Sequence, residues 1–140
     1  ALVVWASIAK LDRYTERQKK EWKEKGFVEV FNSRTKQMMR LNVKLLNDIE
    51  QNKNSTLNIE MAVKELNRPF LIVHGEQDLT VPFEEGKLLF EFADKEKTDL
   101  EIIPATGHTF DIVHPFESSN AKFDYVLIKT LEFFHKNIHN

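Results

Sequence analysis

Residues 74–82 read HGEQDLTVP and follow the apolar run RPFLIVHG at 68–75. The stretch 69–74, PFLIVH, is apolar without period-two alternation, the pattern of a buried strand in a parallel sheet. Pro69 stands at its start, where a missing N–H costs least. Asp78 follows Gly75 by three positions, in a loop that runs to Pro82. Further on, IIPATGHTF at 102–110 is a second apolar run that ends in a turn and a histidine, His108. In open parallel sheets, functional groups gather just beyond the carboxyl ends of the strands. If the two strands are neighbours, Asp78 and His108 emerge on the same rim. An aspartate there can accept the Nδ1–H of the histidine. That bond fixes the tautomer and stabilises the imidazolium formed when the other ring nitrogen takes a proton.

Outward from this pair, the chain predicts a regular order. Residues 1–7, ALVVWAS, form another continuous apolar strand. A helix is expected over 11–25, with Asp12 as N-cap, Tyr14, Gln18 and Trp22 on one side, and Gly26 as its stop. FVEVF, NSRTK and QMMRLN read as a β-hairpin over 27–41. Asn42 caps a short helix over 43–51 that carries Val43, Leu46 and Ile49 on one face, and 57–66 form a further short helix. A helix over 83–94 turns Leu88, Leu89 and Phe92 towards a core, and 99–104 make a strand. The chain closes with a helix over 119–137, in which Phe123, Val126, Leu127, Leu131 and Phe134 recur at helical spacing. This order is α/β, with right-handed crossovers and a parallel sheet. Three strands make a thin sheet, and strand 1–7 has an edge that wants a neighbour. A homodimer or a further chain segment is therefore expected to cover it.

Bulk properties narrow the function classes. At 140 residues, with 41% hydrophobic residues and 11 phenylalanines, the chain can bury a core of one ordinary domain. Its formal net charge of −2 argues against a dedicated nucleic-acid binder, which usually carries a basic surplus. The locally basic RQKKEWKEK at 17–25 interleaves glutamates and reads as a solvated helix face. With no cysteine, disulfide scaffolds, thiolate metal sites and cysteine nucleophiles are excluded. No apolar run approaches the roughly 18 residues of a membrane span, and no signal peptide leads the sequence. The expectation is no membrane association and a cytoplasmic location. Because the sequence opens on Ala1 inside an apolar run, an upstream targeting signal stays open.

FLIVHGEQDLTVP, followed by IIPATGHTF, resembles the carboxy-terminal part of the α/β-hydrolase fold, in the dienelactone-hydrolase and prolyl-oligopeptidase-like branch. The resemblance implies that 69–74 is the penultimate strand, 99–104 the last, and 1–7 the strand before them. Residues 1–140 would then be the carboxy-terminal part of one hydrolase domain. Residues 10–66 would be a cap or lid-like excursion, and 67–140 the core bearing the acid and the histidine. It further implies a serine hydrolase acting on a small-molecule ester, or an amide or peptide, without a cofactor. Asp78 would orient the general base His108. Family triads run Ser, Asp, His, with the serine in a G-x-S-x-G turn between a strand and a helix. Here the sequence departs from the pattern. Gly26, Gly75, Gly86 and Gly107 flank no serine at that spacing. Ser7 sits in WASIA, and Ser33, Ser55, Ser118 and Ser119 fall in loops or beside the last helix. The nucleophile is expected upstream of residue 1, and the chain alone is expected to be inactive.

Each residue also has a plainer reading. Asp78 could be a turn residue and His108 a surface histidine. His74, at the end of a buried strand, reads as a packed, hydrogen-bonded side chain. Phe110, His114 and Phe116 are candidates for the substrate pocket, with aromatic core the alternative for the two phenylalanines. A metal site from His74, Asp78, His108 and His114 has suitable donors, but no ligand pair on one helix turn supports it, and none is predicted. His135 and His139 are expected in solvent, and Trp5 and Trp22 in packing. The rival function is a non-catalytic α/β interaction module or a degenerate hydrolase remnant. A G-x-S-x-G encoded before Ala1 would separate the two.

Overall fold

In chain order the elements are β1 (Leu2–Trp5), α1 (Glu16–Lys25), β2 (Phe27–Asn32), β3 (Gln37–Asn42), α2 (Val43–Asn52), α3 (Ile59–Lys64), β4 (Phe70–Gly75), α4 (Phe83–Phe92), β5 (Thr98–Ile103) and α5 (Ala121–Ile138). The computed structural model describes residues 1–32 and 35–138. Ser33 and Arg34 of the expected hairpin turn, and His139, lie outside the described residues. The chain divides into two compact units, Ala1–Ala9 with Glu60–Asn140, and Lys10–Ile59.

The first unit is built on a parallel sheet of order β1-β4-β5. Every residue of the central strand β4 is buried, which is what its uninterrupted apolar run requires. Each large apolar side chain buried there contributes roughly 1.5–3 kcal/mol. The period of two divides that strand between two layers. Leu71 and Val73 join Ile103, Phe110, Val126 and Phe133 in one cluster, with Val3, Trp5 and Phe123 packed against it. This face carries α5. On the other face, His74 meets Gly86 of α4. The fold is therefore mixed α/β, a parallel three-stranded sheet with helices on both faces.

Two expectations in this unit are corrected. On α5 the buried positions are Val126 and Phe133, whereas Leu127 and Leu131 are exposed. The helix is apolar over much of its circumference, so spacing alone could not choose the arc. In the structure the arc with Val126 and Phe133 joins the core cluster, and Trp5 Nε1–H donates to Thr130 Oγ1 of the same helix at 3.0 Å. Strand β1 is shorter than 1–7 and half-exposed, not buried on both faces. Among the described residues it pairs with β4 alone. On α4, Leu89 is buried, and Leu88 and Phe92 are half-buried.

The second unit holds α1, the antiparallel β2–β3 hairpin and α2. Helix α1 starts later than expected. Its N-cap is Thr15, which forms a reciprocal capping box with Gln18, and Gly26 closes it at φ 78°. Asp12 is not the cap, because its carboxylate is taken by Lys19 at 2.7 Å and Lys53 at 2.9 Å. Trp22 is the buried anchor of this unit; it packs edge-on against Tyr14 and donates from Nε1 to Leu41 O. Within RQKKEWKEK, Arg17 pairs with Glu21 and Lys23 with Glu50. Asn42 caps α2, on which Leu46 and Ile49 are buried.

Candidate active site

Strands β4 and β5 run parallel with Gly75 opposite Ile103, so their following loops leave from the same rim. Beyond the strands the two loops remain tied. Glu76 N–H donates to Ile103 O and Gln77 N–H to Thr106 O, each at 2.9 Å. The Glu76 carboxylate accepts from Ala105 N–H at 3.1 Å. A Cβ on Gly75 would lie 2.6 Å from the carbonyl oxygens of both Thr106 and Gly107. Any side chain there would force the loops apart, which is the physical reason for glycine at this position.

At this rim the side chain of Asp78 is fully buried. Its Oδ1 accepts from Thr80 N–H at 2.8 Å and Val81 N–H at 2.9 Å. Its Oδ2 accepts from His108 Nδ1 at 2.8 Å. Burial by itself would raise the pKa of this carboxyl. The hydrogen bonds from Val81, His108 and Thr80 together outweigh it and hold the group below the ordinary carboxylate value. An ionised carboxylate can only accept, so His108 carries its proton on Nδ1. In the neutral ring, Nε2 is then left with a free lone pair. The His108 side chain is 33% exposed, and no described residue hydrogen-bonds its Nε2. An oriented imidazole with one open nitrogen is chemically equipped to take a proton from an incoming hydroxyl or water.

His74 is fully buried directly behind the acid. The other residues singled out from the sequence are placed apart. Phe110 packs in the core, edge-on to Trp5 at 6.1 Å. His114 and Phe116 are exposed on the segment that leads to α5, and His135 is exposed near its end. Among the described residues, no group of three or more His, Asp or Glu side chains could hold a metal ion. Nor is any helix there long and apolar enough to cross a membrane. Among the described residues no serine hydroxyl is seen bonded to His108: Ser7 donates to Ile8 O, Ser55 to Asn52 O, and Ser119 to Asp124.

Sequence reasoning missed the residues that staple the histidine loop. Phe110 and Asp111 both have left-handed backbone, φ 51° and 63°, which costs non-glycine residues energy unless the surroundings hold it. Thr106 Oγ1 donates to Asp111 at 2.8 Å, and Lys122 Nζ reaches the same carboxylate at 2.8 Å. Asn120 Nδ2 donates to Phe110 O at 3.0 Å, while its Oδ1 accepts from Lys122 N–H and Phe123 N–H at the start of α5. An asparagine ahead of an apolar helix is a readable N-cap signal. Nothing local in the sequence announces the Thr106–Asp111 bond.

Among solved structures the chain is similar to Est1E of Butyrivibrio proteoclasticus with ferulic acid bound, at TM-score 0.61 and 21% identity over 82% of this chain and 38% of that one. It is also similar to the monoacylglycerol lipase of Paleococcus ferrophilus, at TM-score 0.59 and 13% identity over 94% of this chain and 57% of the lipase. The sheet and its helices share the α/β-hydrolase fold. In sequence, the chain is 49% identical over 47 residues to the human Protein ABHD12B, covering 30% of this chain and 13% of that protein. No family model matches. The chain thus spans about an eighth of its curated relative's length, 13%, and 38% and 57% of the lengths of the two enzymes.

Proposed function

We propose that this chain carries the acid and the base of a serine α/β-hydrolase, with Asp78 orienting His108. The observation that carries the reading is the 2.8 Å bond from His108 Nδ1 to a buried, ionised Asp78, with Nε2 of the ring left open. A serine on another part of a longer polypeptide would attack the carbonyl. His108 would accept its proton and then deliver it to the leaving group. Two points support a nucleophile outside these residues. The sequence has no G-x-S-x-G, and the enzymes it resembles are longer. The substrate class we assign is a carboxylic ester, in keeping with the monoacylglycerol lipase of the same fold, with amide or peptide bonds as the variant. The spacing of the two loops supports the dienelactone-hydrolase and prolyl-oligopeptidase-like branch. The second edge of β1 would be covered by a further strand of that longer protein or by a second copy.

The test is hydrolysis of activated aryl esters. The 140-residue chain alone is expected to show none, and a longer protein containing it is expected to turn over. In that longer protein, Asp78→Asn should lower kcat by about four orders of magnitude, the scale found when an orienting carboxylate is lost. Turnover by the isolated chain that survives His108→Ala would overturn the assignment. A longer polypeptide with no serine elbow and no turnover would favour the non-catalytic remnant.

A further inference from the structure

The catalytic reading uses Asp78 and His108 but leaves a second buried imidazole unexplained. His74 is the last side chain of β4 before Gly75 and is 0% exposed. Its Nε2 lies 2.8 Å from Val81 O and 3.4 Å from Asp78 Oδ2. Both of those oxygens are acceptors, so Nε2 carries the proton and donates. On the other side of the ring, Nδ1 is buried and has no hydrogen-bond partner among the described residues. It faces Gly86 of α4, where a Cβ would come within 2.8 Å of Nδ1 and 3.2 Å of the ring carbon. The ring is therefore wedged between a helix that has no side chain at the point of contact and the loop that carries the acid.

The connectivity gives this wedge a consequence. Val81 accepts from His74 through its carbonyl and donates to Asp78 Oδ1 through its own N–H. Oδ1 is satisfied by the backbone of Thr80 and Val81, which turns Oδ2 towards His108. The position of Val81 thus decides which carboxylate oxygen is free, and His74 decides the position of Val81. We infer that His74, seated on Gly86, is a positioning residue that locks the acid loop and through it sets the tautomer and orientation of His108. A leucine of similar size would fill the same space and leave Val81 O buried without a donor. Packing alone therefore does not account for an imidazole here. This inference rests on the proposed pairing of Asp78 with His108.

The two ideas are separable by imidazole NMR on the 140-residue chain labelled with nitrogen-15. The wild type is expected to show His108 as the Nδ1–H tautomer, with a downfield Nδ1–H proton resonance. Asp78→Asn should abolish that resonance; if it does not, the pairing itself is wrong, whatever His74 does. His74→Leu should lose the resonance and leave a mixture of tautomers at His108. His74→Gln, whose amide can donate to Val81 O, should restore it. Gly86→Ala removes no hydrogen bond and suits a helix, yet it pushes a methyl group into the His74 ring, so it should also shift or lose the signal. That variant decides the matter if His74→Leu fails to fold. An unmoved His108 signal in folded His74→Leu or in Gly86→Ala, alongside a lost signal in Asp78→Asn, would reduce His74 to core packing and overturn the inference.

Discussion

Asp78 combines two tendencies that oppose each other in most proteins. It is buried, which favours the neutral acid, yet its pKa is lowered, because Val81, His108 and Thr80 all donate to it. The sign of its effect on stability follows. A carboxyl with a depressed folded-state pKa stabilises fully above its unfolded value of about 3.9, and that contribution is lost as pH falls through the lower folded value. Acidification below about pH 4 should therefore destabilise the chain. Asp78→Asn should make the acid limb of stability against pH shallower, as read from urea midpoints. It should not flatten that limb, because Asp12, held by Lys19 and Lys53, and Asp111, held by Lys122 and Thr106, are lowered as well. Equal slopes in the two proteins would show that the loop does not hold Asp78 ionised. At this scale the candidate pair was legible, because both residues follow apolar runs at a short, fixed offset. Their support was not, since Val81 acts through its backbone and the Thr106–Asp111 side-chain bond depends on loop geometry that no residue type encodes.

At the scale of elements, α5 does two jobs at its first turn. Asn120 caps its N–H groups and also holds Phe110 O behind the histidine loop. Asn120→Ala should cost about 0.5–2 kcal/mol of stability for the cap, measured by chemical denaturation. In the longer protein it should lower activity more than that loss explains, because the His108 loop is loosened too. A loss confined to stability would separate the cap from the site. The positions of the elements followed from periodicity, and the faces followed less well. Helical spacing grouped Leu127 and Leu131 with Val126, yet those two are exposed while Val126 and Phe133 enter the core, because α5 is apolar on more than one side. Helix α1 shows the same limit: Asp12 is a good cap by residue type, but two lysines claimed it.

For the whole molecule, the open edge of β1 makes a specific prediction. Leu2 N–H donates to Pro69 O and Ala6 N–H to Val73 O, both on the β4 side. Alternation along a strand then points the N–H groups of Val3 and Trp5 the other way. In the isolated chain as a monomer, the Val3 and Trp5 amides should exchange with solvent quickly. They should become protected in a dimer or in a longer protein that adds a strand there. Fast exchange that persists in a longer, active protein would show that nothing pairs with this edge. Taken by itself, the sequence determined the order of strands and helices, the parallel sheet with a buried centre, and the loops that bear Asp78 and His108. Each of those depends on local periodicity, or on the rule that function gathers at the carboxyl ends of parallel strands. Only the tertiary structure decided which face of α5 is buried, which oxygen of Asp78 meets His108, and that His74 stands behind them. Those outcomes rest on contacts between residues far apart in the chain, where packing and hydrogen-bond geometry choose among faces that the pattern of residues leaves equivalent.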